Sequence, residues 1–526
     1  MIVRSPLPDL SLPNLDFSSF ILERGRRLPN KTALIDGVTG ESLTFGELTS
    51  TVDALAGGLL GRGVHPGDVV AVCGPNSPAF AVAAHAVWRA GAVVVTVNPL
   101  FTEREMLQEL ADAGARMLLV APEALERALP AARQAGLADV ISLGEAVGLA
   151  SLASVAAGAA PPPRPAVDPR RDAALILYSS GTTGLPKGVV LTHANLMAAL
   201  YQLHSGDLAR EDDVLIGLSP FFHVVGLNGI LNLGLFAGAT VVTMARYEFD
   251  RFLCLLQDRR VSSAFLTPPV VQELIRQPAV ERFDPSSLRS ILCAAAPLGP
   301  ELEQAAADRL GCVVRQGYGM TEASGPITTT LTADIRRGSV GLLVPSTESK
   351  IVDLADGHEL AAGERGEILV RGPQVMRGYL NQPEATAATL EPDGWLHTGD
   401  VGFFDADGFL WVVDRVKEII KYKAYQVAPA ELEGVLMSHP AVADAAVVPS
   451  PDAEAGEVPK AFVVLQPATT ASEADLLAFV AERVAPYKRV RRLELVDSIP
   501  RSPAGKILRR LLVERERAAR AAPQTP

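Results

Sequence analysis

The sequence Tyr178-Ser-Ser-Gly-Thr-Thr-Gly-Leu-Pro-Lys-Gly188 lies between two apolar runs, at residues 173–177 and 189–191. This pattern predicts a strand, a tight loop and a second strand. Small residues let the main chain approach a ligand closely, and the N–H groups of such a loop can bind an anion. Hydroxyl side chains add donors, and Lys187 adds a positive charge. The loop therefore suits a polyphosphate, although a plain surface turn has a similar composition.

The complete string differs from a Walker A loop, which requires Gly-Lys-Ser/Thr in direct succession. Here Pro186 precedes Lys187 and Gly188 follows it. The string instead closely resembles the phosphate-binding loop of the adenylate-forming superfamily, which includes acyl-CoA ligases, luciferases and peptide-synthetase adenylation domains. The resemblance implies that Lys187 is catalytic and that Thr183 is a ligand of Mg²⁺. It also implies that the ATP phosphates bind to Ser179, Ser180, Gly181, Thr182 and Thr183.

Size and composition indicate a globular protein of two or more domains. The chain has 526 residues, of which 48% are hydrophobic and 21% are charged. This length is too great for a single hydrophobic core. The net charge of −12 argues against non-specific binding of nucleic acid. A local basic cluster, Lys488-Arg-Val-Arg-Arg492, is either a solvated face or a contact for a phosphorylated ligand.

The ends and the cysteines predict a soluble cytoplasmic protein without stable membrane association. The N-terminus lacks an apolar core of signal-peptide length, and the four cysteines have neither metal-ligand nor redox spacing. The longest charge-free run, residues 224–245, is long enough to cross a bilayer. Because it contains Asn228, Asn232 and a β-type end, we expect a buried helix followed by a buried strand.

Alternating helical and strand patterns predict α/β layers with largely parallel sheets. Residues 78–90 and 103–113 have helical patterns, and residues 92–97 and 116–121 have strand patterns. From about Gly366 the pattern changes to short β-type runs. We therefore expect a large N-terminal domain of layered β-sheets flanked by helices, residues 1–413, and a smaller, mobile α+β C-terminal domain, residues 414–526.

A second string, Gln316-Gly-Tyr-Gly-Met-Thr-Glu322, matches the adenine and magnesium motif of the same superfamily. Its glycines permit close main-chain approach, and Tyr318 offers a flat face for a purine. Thr321 and Glu322 supply oxygen ligands suited to Mg²⁺. Ala294-Ala-Ala-Pro-Leu298 resembles the adenine-side loop of the family. The resemblance implies that nucleotide contacts include Ala295, Gln316, Gly317, Tyr318 and Thr321.

Two further strings lie nearer the C-terminus. In Gly394-Trp-Leu-His-Thr-Gly-Asp400, the carboxylate of Asp400 is placed to accept both ribose hydroxyls, and Arg415 is placed to bond the same ribose. The alternative for Asp400 is a turn residue that bonds its own main chain. In Pro500-Arg-Ser-Pro-Ala-Gly-Lys506, the Lys resembles the family's catalytic Lys, which neutralises charge on the α-phosphate and the attacking carboxylate. By itself such a residue is usually a solvated loop tip.

Within the superfamily, the chain most resembles the branch of 4-coumarate–CoA ligases and medium-chain acyl-CoA ligases. This resemblance rests on Pro220-Phe-Phe-His223, Lys417-Glu-Ile-Ile-Lys-Tyr-Lys423 and Gln426-Val-Ala-Pro-Ala-Glu-Leu-Glu433. It implies two half-reactions on a small carboxylate: adenylation by ATP, then transfer to the thiol of CoA after the small domain swings near Asp414. It also implies an acyl pocket lined by His223, Val224, Val225, Ala295 and Gly317. Nucleotide contacts from Lys417, Lys421 and Gln426 are implied as well, with residues 421–426 facing the adenylate in the second step.

The sequence departs from the family pattern at two positions. In 4-coumarate ligases an Ile-Tyr type pair follows the pocket His, whereas Val224 and Val225 follow His223 here. Valine cannot bond a phenolic hydroxyl, which favours an acid that is apolar at that point. Ala424 stands where Gly is usual beside the pantetheine arm, so either the main chain shifts slightly and CoA fits, or another acceptor is used.

Three hypotheses follow from these strings. The first is an acyl- or aryl-CoA ligase that requires ATP, Mg²⁺ and CoA. The second is an adenylating enzyme without a CoA step, such as a diazotase that uses nitrite or an enzyme that passes acyl groups to a carrier protein. The third, a nucleotide-binding protein without catalysis, is disfavoured because Lys187, Glu322, Asp400, Arg415 and Lys506 are all present. For His223, a core histidine without a catalytic role is the alternative.

Overall fold

A computed structural model describes residues 1–137, 139–179, 186–294, 296–416, 418–422, 425–452, 455–467, 469–502 and 505–521, with only the main chain for residues 425, 426 and 519–521. Within these residues the architecture is mixed α/β, with helices packed on several sheets. This confirms the predicted fold class.

Two large sheets are parallel over most of their width. The eight-stranded sheet has the spatial order Gly378–Tyr379, Lys187–Thr192, Ala173–Ser179, Val93–Val97, Val69–Cys73, Met117–Val120, Asp139–Ser142, Ala150–Ser151. The seven-stranded sheet has the order Val313–Gln316, Ser290–Cys293, Ser263–Leu266, Val214–Gly217, Thr240–Thr243, Thr32–Asp36, Ser42–Thr44. Their central strands, such as Val93–Val97 and Met117–Val120, are buried on both faces and rich in Val and Leu, which is typical of parallel strands covered by helices.

A five-stranded antiparallel sheet follows the second large sheet in the chain. Its spatial order is Ile2–Arg4, Glu348–Val352, Gly366–Arg371, Leu396–Phe404, Leu410–Arg415. Two short hairpins precede it, formed by Gly319–Met320 with Gly325–Pro326 and by Thr328–Thr329 with Leu342–Leu343. The last two strands of the sheet turn at residues 405–408, where Gly408 has φ +84°.

The C-terminal part of the chain forms a separate sheet with its own core. Its strands are Tyr425–Val427, Ile420–Tyr422, Gly456–Leu465 and Val442–Asp452 in spatial order, and Arg492–Leu495 pairs with Gly456–Leu465 in parallel. Buried side chains from Ile420 to Leu493 pack together between this sheet and its helices.

The helices alternate with these strands. Those of the first 400 residues are Phe17–Arg27, Phe45–Gly61, Pro78–Arg89, Glu103–Asp112, Leu125–Gln134, Leu152–Ala156, His193–Ser205, Leu233–Ala237, Phe249–Asp258, Pro268–Arg276, Pro300–Leu310 and Pro383–Ala387. The C-terminal part contributes Pro429–Met437, Glu473–Ala481 and Arg509–Ala521. Short 3₁₀ turns lie at Pro122–Ala124, Pro278–Arg282, Thr321–Ala323 and Pro486–Lys488, and Val225–Asn232 is a π-helix.

Local sequence explains where several helices begin. The hydroxyl of Ser77 accepts from the N–H of Phe80 and Pro78 occupies the first turn, which fixes the start of the predicted helix at residues 78–90. Thr102 and Glu105 form a capping box at the start of the next helix. The buried helix and strand expected over residues 224–245 are also present, and the described part of the chain contains no helix long and apolar enough to span a membrane.

Candidate active site

The predicted strand–loop–strand is an antiparallel pair at one end of the eight-stranded sheet. Ala173–Ser179 pairs with Lys187–Thr192, and Lys187 lies opposite Ser179. The strands therefore hold the two ends of the loop together. Of the predicted phosphate contacts, Ser180, Gly181, Thr182 and Thr183 lie outside the described residues.

Glu322 lies against the ends of this loop. The hydroxyls of Ser179 and Tyr379 both donate to Oε1 of Glu322, each at 3.1 Å. Only 8% of Glu322 is exposed, and burial raises the pKa of the Tyr379 hydroxyl, with the Glu322 charge as the next cause. The structure thus brings together two of the predicted strings, through Ser179 and Glu322, which are 143 residues apart in the sequence. Thr321 begins the 3₁₀ turn that carries Glu322.

Tyr379 is a site residue that the sequence did not indicate. Its strand pairs with the strand after the loop, with Val189 opposite Tyr379. Its ring lies 4.8 Å from Nζ of Lys187, an arrangement in which a cation is attracted to the ring face. Tyr379 therefore contacts both Lys187 and Glu322, and it orients the two charged groups relative to each other.

The string that contains Gln316 and Tyr318 is held by main-chain contacts. A Cβ on Gly319 would lie 1.8 Å from the carbonyl oxygen of Gly325, so only glycine fits this hairpin. The side chain of Gln316 accepts from the N–H of Leu298 at 2.8 Å and donates to Glu303 at 3.0 Å. Glu303 was also missed, because it lies on the helix Pro300–Leu310 and has no motif of its own. Gly317 follows Gln316, and Ala295 lies outside the described residues.

Tyr318, Asp400 and Arg415 form a polar group beside this string. The Tyr318 hydroxyl donates to Oδ2 of Asp400 at 2.5 Å, and Nε of Arg415 lies 3.4 Å from Oδ1. Asp400 and Arg415 are opposite each other in the hairpin of the antiparallel sheet, which explains their spacing in the sequence. Burial raises the pKa of Asp400, and the Arg415 charge opposes that shift.

Lys506 extends from the C-terminal part of the chain to this group. Its loop is held by the N–H of Ser502, which donates to the Lys506 carbonyl at 2.8 Å, and by Gly505, which has φ +80°. Burial lowers the pKa of Lys506, and the charge of Arg415 lowers it further, whereas Asp400 and Glu322 oppose the shift. The side chain is partly buried, within range of the charges of the same groups.

His223 lies two residues before the π-helix Val225–Asn232, and its N–H donates to the carbonyl of Pro220 at 3.0 Å. Burial lowers its pKa to about 4, and the positive charge of Lys506 contributes in the same direction. The N–H of Val225 donates to Nδ1 at 3.4 Å, so the imidazole is neutral near pH 7 and its Nε2 carries the proton. Val224 is buried, and Val225 is partly buried at the start of the π-helix.

The remaining predicted contacts are on the small domain. Lys421 is exposed, and its N–H donates to Glu457 at 2.8 Å. Lys417 and Ala424 lie outside the described residues, as does the side chain of Gln426. In the basic cluster, Lys488 pairs with Glu431 at 2.6 Å and Arg492 with Asp452 at 2.9 Å, so both cations have acidic partners within the domain.

Two protein-family models match segments of this chain that contain most of the candidate site residues. Residues 21–380 match the family of AMP-binding enzymes, and residues 431–506 match the AMP-binding enzyme C-terminal domain. The chain belongs to the AMP-binding enzyme family. The first matched segment contains His223, Glu322 and the loop that ends at Lys187. Lys506 is the last residue of the second segment. Asp400 and Arg415 lie between the matched segments.

Curated relatives extend over nearly the whole AMP-binding enzyme. The chain is 43% identical to 4-coumarate–CoA ligase 5 of Oryza sativa subsp. japonica over 522 residues, which cover 97% of this chain and 96% of the relative. It is 40% identical to 4-coumarate–CoA ligase 1 of Petroselinum crispum over 523 residues, with the same coverage.

Solved structures of the family have the same fold. An anthranilate CoA ligase, AuaEII, in complex with anthranoyl-AMP has a TM-score of 0.90 at 29% identity and covers 97% of this chain and 99% of its own. The amide bond synthetase McbA from Marinactinospora thermotolerans has a TM-score of 0.85 at 32% identity and covers 94% of this chain and 99% of its own.

Proposed function

We propose that this AMP-binding enzyme is an ATP-dependent, AMP-forming acid–CoA ligase that acts on a cinnamate-like aromatic acid. The observation that carries the proposal is the position of Lys506, a partly buried small-domain residue. The charges of Asp400 and Glu322 in the large domain act on the pKa of Lys506, and the charge of Lys506 acts on the pKa of His223. The full-length similarity to 4-coumarate–CoA ligases supports CoA as the acceptor and an aryl acid as the substrate.

In the first half-reaction, a carboxylate oxygen of the acid attacks the α-phosphorus of ATP. The bond to the β-phosphate oxygen breaks, and pyrophosphate leaves. Negative charge increases on the phosphates in the transition state, and preorganised cations stabilise it. Lys506 and Lys187 supply those charges, Asp400 and Arg415 hold the ribose, and Tyr318 offers its ring to the adenine.

The residues present also fit a divalent cation beside the phosphates. Glu322 is a nearly buried carboxylate whose two hydroxyl partners, Ser179 and Tyr379, both bond Oε1. Carboxylate and hydroxyl oxygens are the ligands that Mg²⁺ prefers. We therefore assign Glu322, with Thr183 of the adjacent loop, to Mg²⁺, which when bound offsets phosphate charge.

In the second half-reaction, the thiolate sulfur of CoA attacks the acyl carbon of the adenylate. The carbon–oxygen bond to AMP breaks, and AMP leaves with the electron pair. We place the domain boundary and the hinge for the intervening rotation near Asp414. Its carboxylate accepts from the N–H groups of Arg415 and Ala430, at 2.7 and 2.8 Å, and so joins the last strand of the large domain to the first turn of Pro429–Met437. After rotation, Lys421 and Gln426 replace Lys506 at the adenylate.

The acyl pocket is assigned to the start of the π-helix, next to His223. A Cβ on Gly229 would lie 3.9 Å from Cγ1 of Val225 and 3.7 Å from the ring of Phe265, so these side chains surround a position without a side chain of its own. Because Val225 and Phe265 are apolar, we assign an aromatic acid without a hydroxyl at that point, such as cinnamate, ahead of 4-coumarate. Four free cysteines fit a reducing compartment, and we propose the cytoplasm as the site of action.

The test is a product assay. The enzyme is incubated with ATP and Mg²⁺ and a panel of cinnamic, amino-cinnamic, benzoic and fatty acids, with and without CoA, and products are identified by mass spectrometry. We expect AMP and an acyl-CoA thioester, with cinnamate preferred over 4-coumarate. Adenylate formation without a thioester for any acid contradicts the CoA step.

The product assay also tests acceptors other than CoA, because McbA, an amide bond synthetase, has the same fold. Ala424, in place of the usual Gly, is the sequence feature that favours such an acceptor. Amines and nitrite are therefore supplied in place of CoA. An amide or a diazo product that forms faster than the thioester identifies the second reaction as the main one.

A further inference from the structure

The helix Pro268–Arg276 of the large domain contacts the small domain at both of its ends. At its C-terminal end, one guanidinium nitrogen of Arg276 donates to the carbonyl of Val442 at 2.7 Å, and the other donates to the carbonyl of Met437 at 3.0 Å. Both acceptors belong to the small domain, which has its own sheet and core. Arg276 therefore forms a two-point contact across the domain boundary.

The chemistry of the acceptors favours a cation there. Met437 is the last residue of the helix Pro429–Met437, and the last four carbonyls of a helix have no N–H partner within it. The C-terminal end of a helix carries partial negative charge, which a guanidinium complements. Burial lowers the pKa of Arg276, but an arginine remains charged at neutral pH.

The other end of the same helix contacts the loop of the catalytic Lys. Thr267 is the residue before the helix, and a Cβ on Gly505 would lie 3.4 Å from Cγ2 of Thr267 and 3.5 Å from its Oγ1. Gly505 directly precedes Lys506. One rigid helix thus contacts both the body of the small domain and the loop that carries its reactive side chain.

We propose that Arg276 is a positioning residue that selects the domain orientation of the first half-reaction, in which Lys506 lies at the site. The inference rests on the proposed function, because that function requires the small domain to leave this orientation before CoA attacks. Breaking the two bonds of Arg276 lowers the population of the adenylating orientation. It leaves the groups that act in the thioester step unchanged.

The experiment measures the two half-reactions separately for wild type, Arg276→Ala, Arg276→Gln and Arg276→Lys. Adenylation is followed by ATP–pyrophosphate exchange, and the thioester step by single-turnover loss of preformed acyl-adenylate after addition of CoA. We expect Arg276→Ala to slow adenylation about 10- to 100-fold, because the variant loses two hydrogen bonds from a charged group. The rate of the thioester step should be unchanged or higher. Arg276→Lys keeps the charge and recovers part of the adenylation rate.

Arg251→Ala is the matched control. Arg251 also donates to a main-chain carbonyl, that of Gly37, but both residues belong to the large domain. We expect the ratio of the two half-reaction rates to stay at the wild-type value in this variant. If Arg276→Ala and Arg276→Gln slow both half-reactions equally, Arg276 is a structural residue and the proposal is wrong.

A distance measurement tests the inference independently of CoA. Spin labels are attached at Val147 and Arg510, which are exposed on the large and small domains respectively. We expect Arg276→Ala to shift the distance distribution away from that of wild type, and an unchanged distribution overturns the proposal. If the wild-type enzyme adenylates an acid but forms no thioester, the proposed function is wrong. The distance distribution still decides whether Arg276 holds the small domain, because it does not depend on CoA.

Discussion

At the scale of single residues, the proposed role of Lys506 predicts how the adenylation rate depends on pH. Burial and the nearby Arg415 lower its pKa below the usual 10.5. The protonated form stabilises the phosphates, so the adenylation rate falls as pH rises through this lowered pKa. Lys506→Arg keeps its charge to higher pH and should move the alkaline limb upward.

This prediction is measured by ATP–pyrophosphate exchange between pH 7 and 11. Lys506→Ala removes the cation altogether and should slow adenylation about 10²- to 10³-fold. The pH profile of this variant should lack the fall in rate at high pH that deprotonation of Lys506 causes. An alkaline limb that stays at the same pH in Lys506→Arg would show that another group titrates.

Asp400 provides the second prediction at this scale. Its carboxylate is nearly buried and accepts from the Tyr318 hydroxyl and Arg415. Asp400→Asn removes the charge that bonds the ribose hydroxyls, so the KM for ATP should rise about 10- to 100-fold, as expected for hydrogen bonds to a charged group. Tyr318→Phe removes one neutral donor and keeps the carboxylate, so it is the milder control. An increase below threefold for Asp400→Asn would exclude a direct ribose contact.

At the scale of elements, the proposed acyl pocket places Val225, the first residue of the π-helix Val225–Asn232, beside the acid. The N–H of Val225 bonds the imidazole, and Cγ1 of Val225 faces Gly229, which has no side chain of its own. Val225→Tyr should raise the preference for 4-coumarate over cinnamate by about 10-fold or more, because a hydroxyl partner discriminates strongly between these acids.

The matched control is Val225→Phe, which adds the same ring without the hydroxyl. Competition assays with equal concentrations of both acids give the ratio of kcat/KM values directly. If Val225→Phe shifts the preference as far as Val225→Tyr, ring size rather than hydrogen bonding sets the selectivity.

Element-scale patterns also show why part of the site was predictable. The turn at residues 405–408 folds two β-type runs into a hairpin, and that hairpin places Arg415 opposite Asp400. Local sequence encodes such a pair because the turn fixes the register. Likewise, the two apolar runs that flank the loop before Lys187 pair as neighbouring antiparallel strands, as their pattern predicted.

Contacts between distant segments were not predictable in the same way. Tyr379 reaches Glu322 and Lys187 because a two-residue strand joins the edge of the eight-stranded sheet. Glu303 reaches Gln316 from a helix in the next layer. Neither residue has a local motif, since its role depends on how sheets and helices pack. The domain boundary near Asp414 stays a prediction.

At the scale of the whole molecule, buried ionisable groups make the free energy of unfolding depend on pH in opposite directions. Burial lowers the pKa of His85, His193 and His223 to about 4 each. It raises the pKa of Asp414 to about 7 and that of Glu109 to about 8. As pH falls, the histidines destabilise the folded state and the two acids stabilise it, so a single variant must be compared with wild type to isolate one group.

His85 is the histidine best suited to this comparison, because it is fully buried and lies outside the proposed site. Its unfolded pKa of 6.5 exceeds its folded pKa of about 4, so between these values only the unfolded state takes up the proton. Its contribution is complete above pH 6.5 and is lost as pH falls toward 4, by at most about 3 kcal/mol.

We therefore expect His85→Gln to lower the free energy of unfolding at pH 7, since the bond from Nε2 to Asn232 is altered. The variant should lose about 3 kcal/mol less than wild type between pH 6.5 and pH 4. Urea unfolding at half-unit pH intervals measures both curves. His65→Gln, at an exposed position, is the control for replacing an imidazole outside the core. If the His85→Gln curve runs parallel to that of wild type, His85 takes up its proton equally in the folded and unfolded states, and burial does not keep it neutral.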